Sequence, residues 1–530
     1  MSAGMALRAS ATVSALNLVG KFLGLVKTLV IAWTFGASGL MDAFLVAYLL
    51  PTVIPNVLKG IVSAAFIPRY MDALRDARGA GQWRGVNTLF TLMLVAVSFA
   101  ATLMALNPLL VVDAVAPGLG AESRELAGGL LRVMALATVV LGINAVLSAV
   151  AFAQSKFVVA SLEGIVSNLF IIAACFLFVP AHGIWALAYA VIAGFAAQSL
   201  LLVMAHWQTL VRFLRPALAV RHPDFQAALR HVGPLVIGFA GAVVMDIVDQ
   251  IFASWVGAGA IAVLSYATML ALVPIEIFGH AVRTAFYTTF SRLWAAGDVA
   301  GMAEAHRRGV QVLVFLMVPA STVFIVYAED LVSLLFERGR FDRDDARAVS
   351  WVVMALSVGM LSKATSWFNF AAFHAMVRPW IPVALGLFAV VLNVILTWLL
   401  AGPLGVPGIA LATSLAVSVT ALASSMLLSR ALQYRIAAAL WGTTWRVIVM
   451  SLVMVAVAKG LAFLVAGIWM APHGTAERVI DLAMLVPGFG AFIAAGWLLG
   501  LDEIRVARDF VARRLGGWRG GPPARKAEAE

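Results

Sequence analysis

About fourteen stretches of this chain are each long and apolar enough to cross a bilayer, and they leave little sequence for anything else. They run over 11–33, 40–66, 86–106, 128–154, 159–179, 184–206, 231–255, 261–291, 309–327, 349–374, 380–400, 406–429, 445–468 and 479–500. A helix needs roughly 20 apolar residues to span the hydrocarbon. Inside a bilayer the backbone must satisfy its own hydrogen bonds, and the alternating pattern of a membrane barrel is absent, so the spans are expected to be helices. The predicted fold is an all-α polytopic membrane protein. Composition agrees: of 530 residues, 63% are hydrophobic and 12% charged, too little polar surface for a soluble domain of this length. The first run is too long and too interrupted for a cleaved signal peptide, and no small-residue cleavage site follows it. Cys175, the single cysteine, excludes an intrachain disulfide and a multi-cysteine metal site.

The formal charge of +11 raises the question of nucleic acid, and its distribution answers against it. Basic residues fall in alternate loops. The N-terminus and every second connection hold Arg8, the Arg69–Arg84 group, Lys156, the Arg212–Arg230 group, Arg292, Arg307, Arg308, Arg378, Arg430, Arg435 and Arg446; seven more lie after Leu501. The other connections hold only Arg124, Arg338, Arg340, Arg343, Arg347 and Arg478. By the positive-inside rule both termini are expected to be cytoplasmic.

The chain also resembles itself. "SNLFIIAACFLFVPAHGIWALA" (167–188) and "LNVILTWLLAGPLGVPGIALA" (392–412) share an Asn, an apolar run and then Gly-Ile with Ala-Leu-Ala, at an offset of 225 residues. A duplicated six-helix unit is expected: an N-terminal lobe over 1–215 (spans 1–6) and a C-terminal lobe over 216–435 (spans 7–12). Spans 13 and 14, within 436–500, and a basic cytoplasmic tail over 501–530 follow. Both copies start on the same side, so the pseudo-twofold lies along the membrane normal. Transporters built this way hold their substrate between the halves, near the midplane.

Seven basic residues remain within spans: Lys21, Lys27, Lys59, Arg132, Arg283, Lys363 and Lys459. Acidic residues at depth include Asp42, Glu163, Asp246, Asp249 and Glu276. A charge at the bilayer centre costs at least about 2.5–3.5 kcal/mol on insertion scales, so such groups face a cavity or one another. Arg132, close to a helix end, is expected to snorkel. Glu163 is expected in a solvated position near the cytoplasmic end of its span. Lys459 has no obvious partner, and function or structural pairing both remain open. Lys21 and Lys27 lie too deep to reach water cheaply and are expected to line a cavity, with Gly20 and Gly24 allowing a partner helix to approach. Pro51 and Pro55 are expected to bend or break the second span. Glu276, His280 and Arg283 share one helical face, as do Asp246 and Asp249. With Lys363 these are candidates for gating or ion coupling. No metal spacing, nucleophile–base arrangement or phosphate-binding Gly-rich loop accompanies them, so no enzyme and no cofactor is expected.

"AWTFGASGLMDAFLVAYLLP", "AAFIPRYMDAL", "LLFERGRFDRDDA" and "GVPGIALATSLA" resemble the MurJ/MviN family, within the wider group of multidrug and oligosaccharidyl-lipid exporters. The resemblance runs in order from about Ala6 to Arg430. It implies a flippase carrying a polyprenyl-pyrophosphate-linked saccharide, foremost the peptidoglycan precursor lipid II, to the periplasmic leaflet. It also implies two six-helix lobes around a cationic cavity and two final helices forming a groove for the lipid tail. On this resemblance Lys21 and Lys27 stand where the family has arginines that meet the pyrophosphate, and Asp42 matches its acidic residue after the first loop. The family's basic pair in the second helix falls at Pro55 and Asn56, with Lys59 nearby. Its acidic-basic pair after the tyrosine of "SYA" reads Thr268 and Met269, and a further acid reads Leu272. Lysine for arginine also gives up the bidentate fork for phosphate. The expected substrate-binding set is therefore Lys21, Lys27, Lys59, Asp42 and Asn56. Expected partners are the lipid-linked saccharide, membrane lipid and cell-wall synthesis machinery, with the chain acting as a monomer and no nucleic acid bound. A different lipid-linked oligosaccharide, for an exopolysaccharide or surface antigen, is the alternative cargo. A drug/cation antiporter, which would want a net acidic cavity, and a non-transporting scaffold are the remaining alternatives. Asp246, Asp249, Glu276 and His280 can serve protons, sodium or neither, and coupling to the membrane potential stays open.

Overall fold

The computed structural model describes residues 3–500 apart from 76–79, 155, 214, 220–242, 435 and 470–473. The basic tail over 501–530 and the first part, 231–242, of the expected span over 231–255 lie outside the described residues. Every element among the described residues is helical. In order they are α1 (Ala3–Phe35), α2 (Gly39–Arg75), α3 (Ala80–Leu106), α4 (Pro108–Val115), α5 (Ala121–Ala153), α6 (Phe157–Ser161), α7 (Glu163–Leu177), α8 (Val179–His182), α9 (Trp185–Phe213), α10 (243–256) and α11 (Ala260–Pro274). A π-helical turn (Ile275–Gly279) leads into α12 (His280–Ala295). Then come α13 (Val299–Val326), α14 (Ala328–Phe336), α15 (Arg343–Val358), α16 (Met360–Ala375), α17 (Trp380–Leu404), α18 (Val406–Leu432), α19 (Ile436–Trp469), α20 (Thr475–Ala483) and α21 (Leu485–Leu498).

Twelve of these helical stretches are long and apolar enough to cross a membrane. The pair α15 and α16, bent by 45°, makes a thirteenth, and α10 is the described end of the span expected over 231–255. Thirteen of the fourteen expected spans are thereby matched, and the described part of the remaining one is helical. Large apolar side chains stand exposed along these helices, as a lipid surrounding allows: Phe22, Phe99, Trp398, Phe463 and Leu498 are among them. With lipid as apolar as leucine, the helices associate through packing and polar ties instead of hydrophobic exclusion.

The breaks have local causes. Pro274 supplies no amide to the ladder, and the π turn follows it directly. At the α15–α16 bend, Gly359 lets α18 come close: a Cβ there would stand 2.7 Å from Ser414 Cα. Ser414 Oγ donates to Ala355 O at 2.7 Å, so the neighbouring helix satisfies a carbonyl at the bend. Pro51 and Pro55, expected to bend or break α2, lie inside one continuous helix.

The described residues fall into two compact units. One draws on Met1–Ala271, Leu335–Gly359 and Arg378–Thr420; the other on Leu272–Leu334, Met360–Val377 and Ala421–Glu530. In the first, α2 packs on α5, α5 on α9, and α1 on α7. Tyr70, Val86, Leu89, Met93, Val146 and Val150 form one of its cores. In the second, α13 packs on α12, α16 and α19, and α19 on α21. His306, fully buried, ties this unit together. Its Nε2 meets Asn369 Oδ1 at 2.8 Å and its Nδ1 meets Tyr434 Oη at 2.6 Å, while Asn369 Nδ2 donates to Ser424 and Ser425. An amide oxygen only accepts, so Nε2 carries the proton and Nδ1 accepts from the tyrosine. A fully satisfied buried network of this kind fixes one arrangement of its helices.

Candidate substrate-binding site

In the first unit, α1 carries Lys21, exposed, and Lys27, half-buried. Their helix is held to α7 where small residues allow it. A Cβ on Gly20 would come 3.8 Å from Gly164, and one on Gly24 would meet Asn168 Nδ2 at 3.5 Å. Asn168 Nδ2 donates to Gly20 O at 3.1 Å. The partner expected for Gly20 and Gly24 is thus α7. Among the described residues Lys27 has no hydrogen-bond or ion-pair partner.

Lys59 on α2 is ion-paired to Glu163, the first residue of α7. Sequence reasoning placed Glu163 in solvent near a span end. The structure instead gives it a cation from a helix about a hundred residues earlier, a pairing no local pattern reveals. Asn56 is exposed one turn before Lys59 on α2. Lys21, Lys27, Lys59 and Asn56 all belong to this unit, and Lys59 arrives already compensated.

Asp42 is fully buried. Its carboxylate accepts from Gly259 N at 2.5 Å and Ala262 N at 2.8 Å, the first amides of α11. An acid here caps the start of a distant helix, where amides have no partner of their own. Asp42 therefore stands in the frame of the site, joining α2 to α11, and both its oxygens are engaged. The same end of the unit holds ties that sequence reasoning missed. Tyr266 Oη donates to Gly36 O at 3.1 Å, Ala37 N donates to Asp345 Oδ2 at 3.0 Å, and Arg340 N donates to Trp33 O at 2.9 Å. Gly36 (φ +64°) and Gly339 (φ +64°) make the turns, and a side chain on Gly339 would strike Trp33. The available signals were the tyrosine of "SYA" and the acids of "RFDRDDA".

Asp249 on α10 accepts from Thr413 Oγ1 at 3.0 Å, and Thr413 in turn accepts from Asn393 Nδ2 at 2.9 Å. Asp246, one turn earlier, is exposed. These residues lie in the first unit, whereas Glu276, His280, Arg283 and Lys363 lie in the second. Glu276 sits in the π turn, and His280 begins α12 with Thr284 one turn on, its hydroxyl donating to His280 O. The Arg283 guanidinium and the Lys363 ammonium each stand 5.9 Å from the Trp367 ring. Trp367 was not singled out in the sequence.

Two further intramembrane cations are accounted for structurally. Arg132 is exposed and donates to Ala105 O at 3.3 Å, in keeping with snorkelling. Lys459 is ion-paired to Asp481, lies 3.5 Å from Asp330 and sits over the Tyr327 ring at 4.3 Å. Burial raises the Asp330 carboxyl above its ordinary range, against the pull of Lys459.

The fold and its intramembrane charges place the chain in the class of multi-span helical membrane proteins. The chain overlays a solved multidrug resistance transporter of the MATE family in its inward-facing conformation (TM-score 0.63, 15% identity, covering 80% of this chain and 98% of that one). It overlays a lipid II flippase MurJ structure in an inward closed conformation more fully (TM-score 0.78, 19% identity, 93% and 99%). The family model "Lipid II flippase MurJ" matches residues 31–483. Among curated relatives, the lipid II flippase MurJ of Burkholderia cenocepacia is 27% identical over 365 residues (67% of this chain, 70% of the relative). The probable lipid II flippase MurJ of Rhizobium tropici is 25% identical over 527 residues (95% and 96%). The chain belongs to the lipid II flippase MurJ family.

Proposed function

We propose that this chain is a flippase that moves lipid II from the cytoplasmic to the periplasmic leaflet of the bacterial inner membrane, by alternating access of two lobes over 1–215 and 216–435. The observation that carries this reading, beside the family match over 31–483, is the pair Lys21 and Lys27 on one membrane-depth helix, with Lys27 lacking any counter-charge among the described residues. An anionic pyrophosphate offsets such charge; a lipid tail does not. Lys21 and Lys27 would meet the pyrophosphate, Asn56 and Lys59 would border it, and the prenyl tail would stay in lipid beside the helices of 436–500. No covalent step is required. Asp249, with Thr413 and Asn393 behind it, and Asp246, Glu276 and His280 are the groups proposed to couple an ion. The chain would act as a monomer alongside the wall-synthesis machinery.

One feature favours a second cargo. The family's arginines are lysines here, and Lys59 already holds a carboxylate, so the cationic set differs from the family's. A different lipid-linked oligosaccharide fits that difference. Complementation of a conditional lipid II flippase deficiency separates the two. Growth is the expected result; failure at normal membrane expression would select the other saccharide.

A further inference from the structure

Trp367 lies half-buried on α16 with two cations about one ring. Lys363 precedes it by one turn of the same helix. Arg283 comes from α12, which packs on α16. The two helices meet at Gly279, where a Cβ would stand in ordinary contact, 3.5 Å from Ala364 Cβ, next to Lys363. Each cation is 5.9 Å from the ring centroid, at the outer limit of about 6 Å for a cation–π contact. The indole therefore neither stacks tightly on these groups nor neutralises them. Among the described residues Arg283 has no hydrogen bond or ion pair, and His374, within its electrostatic reach, can add only positive charge. A guanidinium at membrane depth without a carboxylate is costly unless a cavity or an anion serves it.

We propose that Trp367, Arg283 and Lys363 form a subsite for an anionic saccharide. A pyranose ring presents an apolar C–H face, which packs on an indole face, and a polar rim. Arg283 would fork a carboxylate carried by the peptide attached to that sugar, and Lys363 would add a point charge beside it. The subsite rests on the reading of the cargo as a lipid-linked saccharide and deepens it: the sugar is recognised here, whereas the pyrophosphate is assigned to Lys21 and Lys27. It also changes the role of Arg283 and Lys363 from gating to recognition.

The test compares two lipids that share the prenyl pyrophosphate and differ in whether they carry the sugar with its attached peptide. Binding of lipid II and of undecaprenyl pyrophosphate is measured on the full purified chain in detergent. Trp367→Ala is expected to weaken lipid II about tenfold, as for loss of an aromatic contact, and to leave undecaprenyl pyrophosphate within about twofold. Trp367→Phe should keep most of the lipid II affinity, and Arg283→Gln should lose it as Trp367→Ala does. Lys21→Gln should weaken both lipids. Unchanged undecaprenyl pyrophosphate binding also reports that each variant is folded; where Trp367→Ala does not fold, Arg283→Gln and Trp367→Phe carry the same comparison. Equal loss of both lipids in folded Trp367 and Arg283 variants, or no loss of either, overturns the subsite. A parent protein that binds the two lipids equally also overturns it and leaves the flippase reading standing. A parent that binds neither sinks the flippase reading itself.

Discussion

The two copies of the internal repeat keep the same asparagine and put it to different use. In the first copy Asn168 on α7 reaches the α1 backbone at Gly20 and packs on Gly24. In the second, Asn393 on α17 reaches Thr413, which donates to Asp249 on α10. The offset of 225 residues that pairs the asparagines also pairs Gly24 with Asp249 and Lys21 with Asp246. One facing helix therefore carries cations and glycine where the other carries two carboxylates. The two matched segments keep an interhelical tie and differ in the charge beside it. A basic α1 suits an anionic headgroup, while an acidic α10 backed by hydroxyl and amide dipoles suits a cation or proton. On the proposed function, the first copy would serve the cargo and the second the coupling ion.

The turn glycines show a smaller divergence. The sequence match aligns Gly183 with Gly408, yet the positive-φ turn of the second copy is Gly405 (φ +63°), which corresponds to Gly183 (φ +57°). Gly408 instead allows close approach, since a Cβ there would fall 2.1 Å from Leu400 O. Sequence identity and backbone role slipped by one helical turn.

The strongest break in the comparison would be orientation. Both copies must enter from the same face if their axis lies along the membrane normal. In a Cys175→Ala background, a membrane-impermeant thiol reagent applied to intact cells is expected to label Arg338→Cys and to miss Arg84→Cys and Ala296→Cys. All three positions are exposed. The effect is all-or-none. Labelling Ala296→Cys but not Arg84→Cys would make the copies inverted.

Next in size is the charge on α1. Lys21→Gln and Lys27→Gln should each lower transport about tenfold or more, the scale of a lost charge-assisted hydrogen bond. Insertion should not suffer, since removing a charge from a span eases it. Lys→Arg at either position should retain much of the activity. If glutamine and arginine behave alike, with any loss tracking expression, α1 does not handle the anion and the division of labour falls.

Asp42 offers a third test, on stability. A carboxamide in place of its carboxylate would present an NH₂ group to one of the two backbone amides that now donate to it. Asp42→Asn should therefore cost about 2–3 kcal/mol, read as a lower thermal midpoint of the purified protein. Asp42→Glu should not restore it, because the longer side chain misplaces the oxygens. An unchanged midpoint with lost transport would return Asp42 to the substrate.

What the sequence made legible was whatever is local. Spans follow from apolar length, and a helix approach at Gly20 and Gly24 was expected, though not that α7 makes it. Pairings across long separations were not legible. Lys59 finds Glu163, Lys459 finds Asp481 and Asp330, and Asp42 finds backbone amides that no residue type announces. The cation set was visible residue by residue. Trp367 was not, because an indole in an apolar run looks like any lipid-facing aromatic until its helix neighbours are placed.

The asparagines supply the smallest and most discriminating effect. Asn168→Ala removes one donor to a carbonyl already inside a helix, and interhelical hydrogen bonds in membranes average about 0.6 kcal/mol. A loss near that size is expected in the thermal midpoint, with transport falling in proportion to folded protein. Asn393→Ala removes a bond of the same kind, so its stability cost should be similar. Its functional cost should not be. Without Asn393, the Thr413 hydroxyl is no longer held toward Asp249 and can turn to Ile409 O, its other acceptor at 3.2 Å. Transport measured across a pH series, and with sodium replaced by potassium, should then change its profile for Asn393→Ala and keep it for Asn168→Ala. Identical profiles in both variants would mean that the second copy's asparagine is only a structural tie, and that Asp249 couples nothing through it.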